Sequence, residues 1–278
     1  MRNCARVRCG RRAPPSHDQE MTLTQNSIHR DDQDAVTILR IEHGKANTID
    51  LELFEALEHR LDEFEAEGAS PALVLTGSGK SFSAGVDLFR VLNDGAPYLE
   101  RFLDRLARTV RRLFAWPRPV VVAVNGHAIA GGCVLAAAGD YRVMTRFEKA
   151  LMGVTELKVG VPFPTAALEV MRYRVPQSLE NLVMSGRLLS PEVALEIGLV
   201  EELADPEEVL DRAIATAHRL ARIPAPAYAL SKSHLRRPTL ETIDRLAPEI
   251  DPQVLDLWSR PETLETIRSF LEATVGKK

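Results

Sequence analysis

The stretch PVVVAVNGHAIAGGCVLAAAG, from Pro119 to Gly139, is the most informative part of the sequence. Its 21 residues contain no Asp, Glu, Lys or Arg, so the stretch is long enough and apolar enough to cross a bilayer. Its internal pattern indicates something else. The β-branched run Val120 to Val124 is typical of a buried strand, the Asn125-Gly126 pair is a turn signal, and the small residues from Gly131 favour a short helix. We therefore predict a strand, a turn and a helix, and no membrane span.

Strand and helix patterns alternate on both sides of this stretch. Strands are predicted at 35–42, 72–76 and 141–145, and helices at 51–68, with Gly68 as the stop, and at 99–115. Strand patterns end near Thr165. The region from Pro224 to Val275 is helical in pattern, with breaks predicted at its internal prolines, Pro238, Pro248, Pro252 and Pro261. This order predicts an α/β core followed by a helical C-terminal region.

The N-terminal segment is set apart by its composition. The first 20 residues carry five Arg against Asp18 and Glu20, without an apolar segment of the kind a secretory signal needs. An organellar transit peptide is an alternative, but the segment has no apolar periodicity. We predict a disordered tail at 1–33, a core at 34–222 and a helical region at 223–278.

Composition excludes several classes of function. The 278 residues are 45% hydrophobic and 27% charged, which is typical of a soluble globular protein. The net charge is −4, and it is −7 beyond the first 20 residues, so no basic surface is available for nucleic acid. Three scattered cysteines predict neither a disulfide framework nor a zinc site, which favours a reducing location. We expect a cytoplasmic protein, or an organellar matrix protein if the tail is a transit peptide.

Familiar catalytic motifs are absent from the sequence. The loop GSGKS, from Gly77 to Ser81, resembles a phosphate-binding loop, but Val74 occupies the position of the first glycine and no helix follows directly. Neither Ser81 nor Ser83 lies in a Gly-x-Ser-x-Gly elbow, and no paired histidines suggest a metal site.

Two loops of small residues remain, each after a strand: SFSAGVDL at 81–88 and NGHAIAGGCV at 125–134. Small residues let the backbone approach a ligand closely. Amide N–H groups from two such loops could then donate to one carbonyl oxygen and form an oxyanion hole. Either loop alone is better explained by tight packing, but the two together indicate a binding site.

These motifs resemble the crotonase superfamily of acyl-CoA hydratases and isomerases. The resemblance covers about Ala35 to Lys232 and includes, in order, Lys45-Ala46-Asn47, both small-residue loops, Gly-Asp-Tyr-Arg at 139–142 and the Ser-Gly-Arg-x-Leu-Ser-Pro-Glu pattern at 185–192. It implies a spiral of repeated ββα units whose C-terminal helices pack in a homotrimer, or in a hexamer of two trimers.

The resemblance also implies a site. The oxyanion donors of the family fall on the amides of Val86 and Gly131. The coenzyme A site of the family matches Ala46 and the stretch from Ala84 through Gly85, Val86 and Asp87 to Leu88. Asp87 is better explained as a helix cap than as a chemical group. Thr155, beside the candidate catalytic residue, is included among the substrate-binding residues.

The reaction depends on the acid/base groups. Family hydratases use two glutamates, and here the first position is Val134, whereas the second is present as Glu156 in Gly-Val-Thr-Glu at 153–156. Hydration needs both groups, but one carboxylate can move a proton from C2 to C4. The pattern therefore looks most like the 3,2-trans-enoyl-CoA isomerases. A hydratase, another crotonase-type reaction and a non-catalytic CoA-binding protein remain as alternatives.

The partner implied is an acyl-CoA substrate. The coenzyme A thioester would be the substrate itself, so no separate cofactor and no metal are expected, and no nucleic acid or membrane partner.

Overall fold

The computed structural model describes residues 27–67 and 71–275. Its strands are β1 (Ile28–Gln33), β2 (Val36–Ile41), β3 (Thr48–Ile49), β4 (Ala72–Gly77), β5 (Ser81–Ser83), β6 (Gly85–Val86), β7 (Val120–Val124), β8 (His127–Ile129), β9 (Tyr141–Thr145), β10 (Met152–Gly153) and β11 (Glu202–Ala204). Its helices are α1 (Leu51–Ala66), α2 (Leu88–Ala115), α3 (Gly131–Ala137), a 3-10 helix (Glu156–Val159), α4 (Thr165–Arg174), α5 (Leu179–Ser185), α6 (Pro191–Glu196), α7 (Val209–Ala221), α8 (Ala225–Ser259) and α9 (Pro261–Val275).

A six-stranded sheet forms the centre of the fold, in the order β1-β2-β4-β7-β9-β11. Only β1 pairs antiparallel; the other neighbours are parallel. Parallel strands covered on both faces are apolar throughout, and β4 and β7 are buried along their whole length. One face packs on α7 through Val209, Ala213 and Ala217, and the other faces the main core.

The short strands that follow β2, β4, β7 and β9 in the chain form two small sheets. One has the order β10-β8-β5 and the other pairs β3 with β6, in both cases parallel. They bring together loops that are far apart in the sequence.

The C-terminal helices share the main core. Val254 and Trp258 of α8 and Ile267 of α9 are buried in it, and Trp258 Nε1 donates to the carbonyl oxygen of Pro162 at 3.0 Å. Helix α9 also contacts the 3-10 helix. Among the described residues, no helix combines the length and apolarity needed to span a membrane.

Four sequence predictions need correction. Strands do not end near Thr165, because β11 (Glu202–Ala204) pairs parallel with β9. Residues 28–33 form β1, paired in register with β2, so the tail cannot extend to residue 33; residues 1–26 lie outside the described part. Helix α2 begins at Leu88 rather than at Leu99, with a kink at Gly95, where φ is 75°. The breaks predicted at Pro238, Pro248 and Pro252 are wrong, because α8 runs through all three. The predicted stop Gly68 lies outside the described residues.

Candidate active site

The two small-residue loops lie against each other. Strand β5 from the first pairs with β8 from the second, with Ser81 opposite His127. A β-carbon on Gly132 would lie 2.5 Å from the carbonyl oxygen of Ser83, and one on Gly85, where φ is 88°, would lie 2.6 Å from that of Ile129. Only glycine fits at these two contacts, since real β-carbons do not approach oxygen so closely.

This contact places Val86 beside Gly131, the first residue of α3. A β-carbon on Gly131 would lie 3.5 Å from Cγ2 of Val86 and 4.0 Å from its amide nitrogen. The N–H groups in the first turn of a helix have no acceptor within the helix, and the first intrahelical bond of α3 runs from Val134 N to Ala130 O. The two amides named from the sequence are therefore neighbours, as an oxyanion hole requires.

The turn at Ala46 is joined to the first loop. The amide of Ala84 donates to the carbonyl oxygen of Ala46 at 3.0 Å, and Ala46 and Asn47 have positive φ values of 62° and 55°. Asn47 Nδ2 donates to Ser81 O at 2.9 Å, and Ser83 Oγ donates to Asn47 O at 2.7 Å. The sequence motif contained Asn47. Its role in holding the loop through buried hydrogen bonds could not be predicted, because it depends on a fold that brings residues 47 and 81 together.

Asp87 caps α2, as predicted. Its carboxylate accepts from the amides of Phe89 at 2.9 Å and Arg90 at 3.2 Å, and its own amide donates to Ile49 O at 2.9 Å. Leu88, the first residue of the helix, is half-buried.

Glu156 is the first residue of the 3-10 helix and follows β10. Strand β10 pairs with β8, and Ala130 N donates to Gly153 O at 2.8 Å, which ties the segment before Glu156 to the start of α3. The residue is 9% exposed, and its Oε2 has no hydrogen-bond partner among the described residues. Thr155, immediately before it, is half-buried and makes no capping bond with its side chain.

Burial changes the acidity of this carboxyl group. Removal from water raises the pKa of Glu156 to about 7, and hydrogen bonds from its own amide and that of Thr155 partly oppose the shift. A carboxyl group with this pKa can take up and release a proton near neutral pH. Glu156 also acts on α3. Burial raises the pKa of the Cys133 thiol, and the negative charge of Glu156 raises it further.

Val134 lies one residue after Cys133 and is 1% exposed within the main core. Its side chain offers no proton donor or acceptor. Among the described residues, Glu156 is the one carboxyl group with a buried oxygen that lacks a hydrogen-bond partner.

Other features of the described residues are not part of this site. A cavity of about 580 Å³ lies between α1 and α2, but its charged side chains are engaged in ion pairs, as Arg112 is with Asp62 at 2.7 Å. In the described ranges, no group of His, Cys, Asp and Glu side chains is arranged to hold a metal ion.

The chain is similar to known proteins over most of its length. The sequence profile of the family described as Enoyl-CoA hydratase/isomerase matches residues 31–274. A putative enoyl-CoA hydratase of Thermus thermophilus is 37% identical over 194 residues, which are 69% of this chain and 76% of that protein. The rat mitochondrial enoyl-CoA delta isomerase 1 is 22% identical over 273 residues, which are 98% and 94% of the two chains.

Solved structures extend the comparison. A Mycobacterium tuberculosis protein, described once as an enoyl-CoA isomerase and once as a probable enoyl-CoA hydratase, is 30% and 29% identical in its two structures, with TM-scores of 0.73 and 0.76. They cover 81% and 82% of this chain and 99% and 96% of theirs. The human mitochondrial delta3-delta2-enoyl-CoA isomerase has a TM-score of 0.85 at 23% identity, covering 91% of this chain and all of that one, which shows a common fold. The predicted α/β crotonase-type fold is confirmed.

Proposed function

Since the chain belongs to the enoyl-CoA hydratase/isomerase family, we propose that it converts 3-enoyl-CoA to trans-2-enoyl-CoA, with Glu156 as the only proton carrier. The proposal rests on the side chains at positions 156 and 134, of which only the first can carry a proton. Glu156 has a buried carboxyl oxygen without a hydrogen-bond partner among the described residues, whereas Val134 is a buried apolar side chain at the position where the family resemblance implies the other glutamate of a hydratase.

The first step is removal of a proton from C2 by the Glu156 carboxylate. The electron pair of the broken C–H bond moves into the thioester, and the negative charge of the resulting dienolate rests mainly on the thioester oxygen. The amides of Val86 and Gly131 donate to that oxygen, which stabilises the charge as it develops.

The second step returns the proton at C4. The dienolate extends from the thioester oxygen to C4, so protonation there by the same carboxyl group gives the conjugated 2-enoyl thioester. One proton leaves and one returns, so the reaction balances without a cofactor, and coenzyme A enters as part of the substrate. The turn at Ala46 and the segment from Ala84 to Leu88, together with Thr155, are the residues that we assign to substrate binding.

Hydration is the second candidate, favoured by the names of several relatives. It requires a water molecule activated at C3 and a proton delivered to C2, a task that the family resemblance assigns to two carboxyl groups. Val134 supplies neither acid nor base, so the site supports isomerisation better. We also propose the homotrimer, or the hexamer of two trimers, that the family resemblance implies.

The test is isomerisation of 3-hexenoyl-CoA, followed by the absorbance of the conjugated product. We expect Glu156→Gln to lower kcat by about 10²-fold or more, which is the contribution of a positioned acid/base group. Glu169→Gln is the matched control, because Glu169 is 8% exposed but pairs with Arg172 on α4. Equal rates for Glu156→Gln and the parent would refute the proposal, and turnover of any enoyl-CoA by the parent would exclude a non-catalytic protein.

A further inference from the structure

Three arginine side chains converge on the C-terminal end of α3. The carbonyl oxygen of Gly139 accepts from Arg142 at 3.1 Å, from Arg174 at 2.7 Å and from Arg236 at 3.1 Å. Arg236 also donates to Ala138 O at 3.3 Å. These arginines come from β9, α4 and α8, so three separate elements hold one end of a seven-residue helix.

The cations are buried and only partly neutralised. Arg142 is fully buried and Arg236 is 4% exposed. Burial, together with the nearby Arg142, lowers the pKa of Arg174 to about 9, a sign that these positive charges crowd one another. Burying charge costs free energy unless it is paired, and three donors are more than the two lone pairs of the Gly139 carbonyl oxygen require.

Two carboxylates complete the cluster. Asp140 accepts from Arg236 and from Lys232 of α8, both at 2.7 Å, and from the amide of Val120 at 2.7 Å. Glu201 pairs with Arg142 and lies 3.5 Å from Arg174. The end of α3 is thereby fixed to the central sheet and to the C-terminal helical region.

The other end of the same helix carries the proposed oxyanion donor. Seven residues of α-helix span roughly 10 Å and move as one rigid unit. Gly131 begins α3, and Ala130, just before it, is held by Gly153. A shift at Gly139 must therefore appear at Gly131, beside Val86.

We propose that Arg142, Arg174 and Arg236 are positioning residues, which hold α3 so that the Gly131 amide stays aligned with that of Val86 against the thioester oxygen. The inference rests on the part of the proposed function that assigns the oxyanion hole to Val86 and Gly131. It does not depend on whether the reaction is isomerisation or hydration. It predicts that the C-terminal helical region, through Arg236, contributes to polarisation of the substrate carbonyl without touching the substrate.

The test uses the full chain and four variants: Arg236→Met, Arg236→Lys, Arg174→Met and Arg111→Met. Arg111 is the matched control, because it also joins α8 to another helix, through an exposed ion pair with Asp244 at 2.9 Å, and both partners of that pair lie outside α3. Urea unfolding of each variant first establishes that it is folded.

The first measurement is the absorption spectrum of bound 2,4-hexadienoyl-CoA, which moves to longer wavelength when its carbonyl is polarised. We expect the parent and Arg111→Met to show the shift in full, and the two methionine variants at the cluster to show a clearly smaller one. Arg236→Lys should be intermediate, because lysine keeps the charge but not the planar fork that reaches several carbonyls.

The second measurement is kcat and KM for 3-hexenoyl-CoA. Misplacement of a reacting group by about 1 Å costs up to ~10²-fold, so we expect kcat to fall about tenfold or more with KM changed by less than about threefold. A structural role alone would lower stability and leave the spectral shift and the kcat of the folded protein unchanged, and that result would overturn the inference. If Arg236→Met does not fold, the same spectra and rates are compared for Arg174→Met and Arg236→Lys.

The two proposals fail differently. If the parent shifts the spectrum but does not isomerise 3-hexenoyl-CoA, the proposed function fails and the spectra still decide the positioning role. If the parent itself produces no shift, the oxyanion donors are misassigned and the inference falls with them.

Discussion

Gly131 and Val86 lie so close that a β-carbon on Gly131 would be 3.5 Å from Cγ2 of Val86 and 3.3 Å from Cδ1 of Ile49. These neighbours are the ends of side chains, which can move by a few tenths of an ångström. A methyl group at this position would therefore fit the protein, but it would lie 4.0 Å from the amide nitrogen of Val86, beside which the thioester oxygen is proposed to bind.

Gly131→Ala should consequently separate stability from activity. We expect the free energy of unfolding to stay the same or to rise by up to about 1 kcal/mol, because alanine is the better helix former. We expect kcat/KM for 3-hexenoyl-CoA to fall by about 10²-fold, the effect of losing one oxyanion donor. Gly139→Ala, near the other end of α3, should lose stability, because its β-carbon would lie 2.6 Å from Cγ2 of Val122. Full activity in Gly131→Ala would contradict the assignment of the oxyanion hole.

The second prediction concerns the pH profile. Glu156 must be ionised to accept the C2 proton, and burial raises its pKa to about 7 in the free protein. The value of kcat/KM should therefore fall as pH drops below about 7, tenfold for each further unit, and level off above it. Steady-state rates with 3-hexenoyl-CoA across this range provide the measurement. An acidic limb near pH 4.5, the ordinary value for a glutamate, would mean that Glu156 is exposed to water in solution or is not the base.

The same shift predicts a pH-dependent difference in stability between the parent and Glu156→Gln. Below the ordinary pKa of 4.5 the carboxyl group is neutral in both folded and unfolded chains, so the difference should be small. Between 4.5 and about 7 the unfolded chain loses the proton while the folded protein keeps it, so the parent loses stability as pH rises. Above about 7 the glutamine variant should be more stable by up to about 3 kcal/mol, at 1.36 kcal/mol for each pKa unit.

Urea unfolding at pH 5 and pH 8 measures this difference. Any loss of unfolding free energy that the substitution causes through altered packing should be equal at both pH values. It therefore cancels when the two pH values are compared. A difference that does not change with pH would contradict the raised pKa.

Much of the site could be predicted from the sequence because its parts are local. The run at Val120 to Val124 is apolar throughout, as a strand covered on both faces must be, and the glycines mark the loops where backbones meet. Asp87 could be identified as a cap because aspartate is a favoured capping residue, although the helix that it caps begins at Leu88 and the sequence pattern predicts it only from Leu99. Strands β5, β8 and β10, in contrast, have three residues or fewer, too few for any periodicity.

Long-range packing accounts for the predictions that were wrong. The three internal prolines of α8 each remove one backbone hydrogen bond and predict a break, but α8 packs along α2 and α4 and buries Ile243, Val254 and Trp258. That packing outweighs the local cost. The arginine cluster at Gly139 could not be predicted either, since Arg236 reaches a carbonyl 97 residues away in the chain.

The fourth prediction separates capping from chemistry at Asp87. Asparagine accepts the same two amide hydrogen bonds as aspartate without a charge, and the two are equally good helix caps. Asp87→Asn should therefore keep kcat within about threefold of the parent and leave the urea midpoint close to it. Asp87→Ala should lose about 1 kcal/mol of stability, typical of a missing cap. If Asp87→Asn loses activity as severely as Glu156→Gln, the negative charge takes part in the reaction.

The last prediction compares two reactions of the unaltered protein. Val134 is 1% exposed and packs in the main core, so it can neither activate water nor donate a proton, and no substrate changes that. Isomerisation uses one carboxyl group twice, but hydration requires two groups to act together. General acid/base groups contribute about 10² to 10⁴ each, so hydration of crotonyl-CoA should be slower than isomerisation of 3-hexenoyl-CoA by at least about 10²-fold. The loss and gain of enoyl thioester absorbance measure the two rates in one preparation. Comparable rates would mean that a group other than Val134 supplies the second proton transfer. The hydratase hypothesis would then replace the isomerase hypothesis.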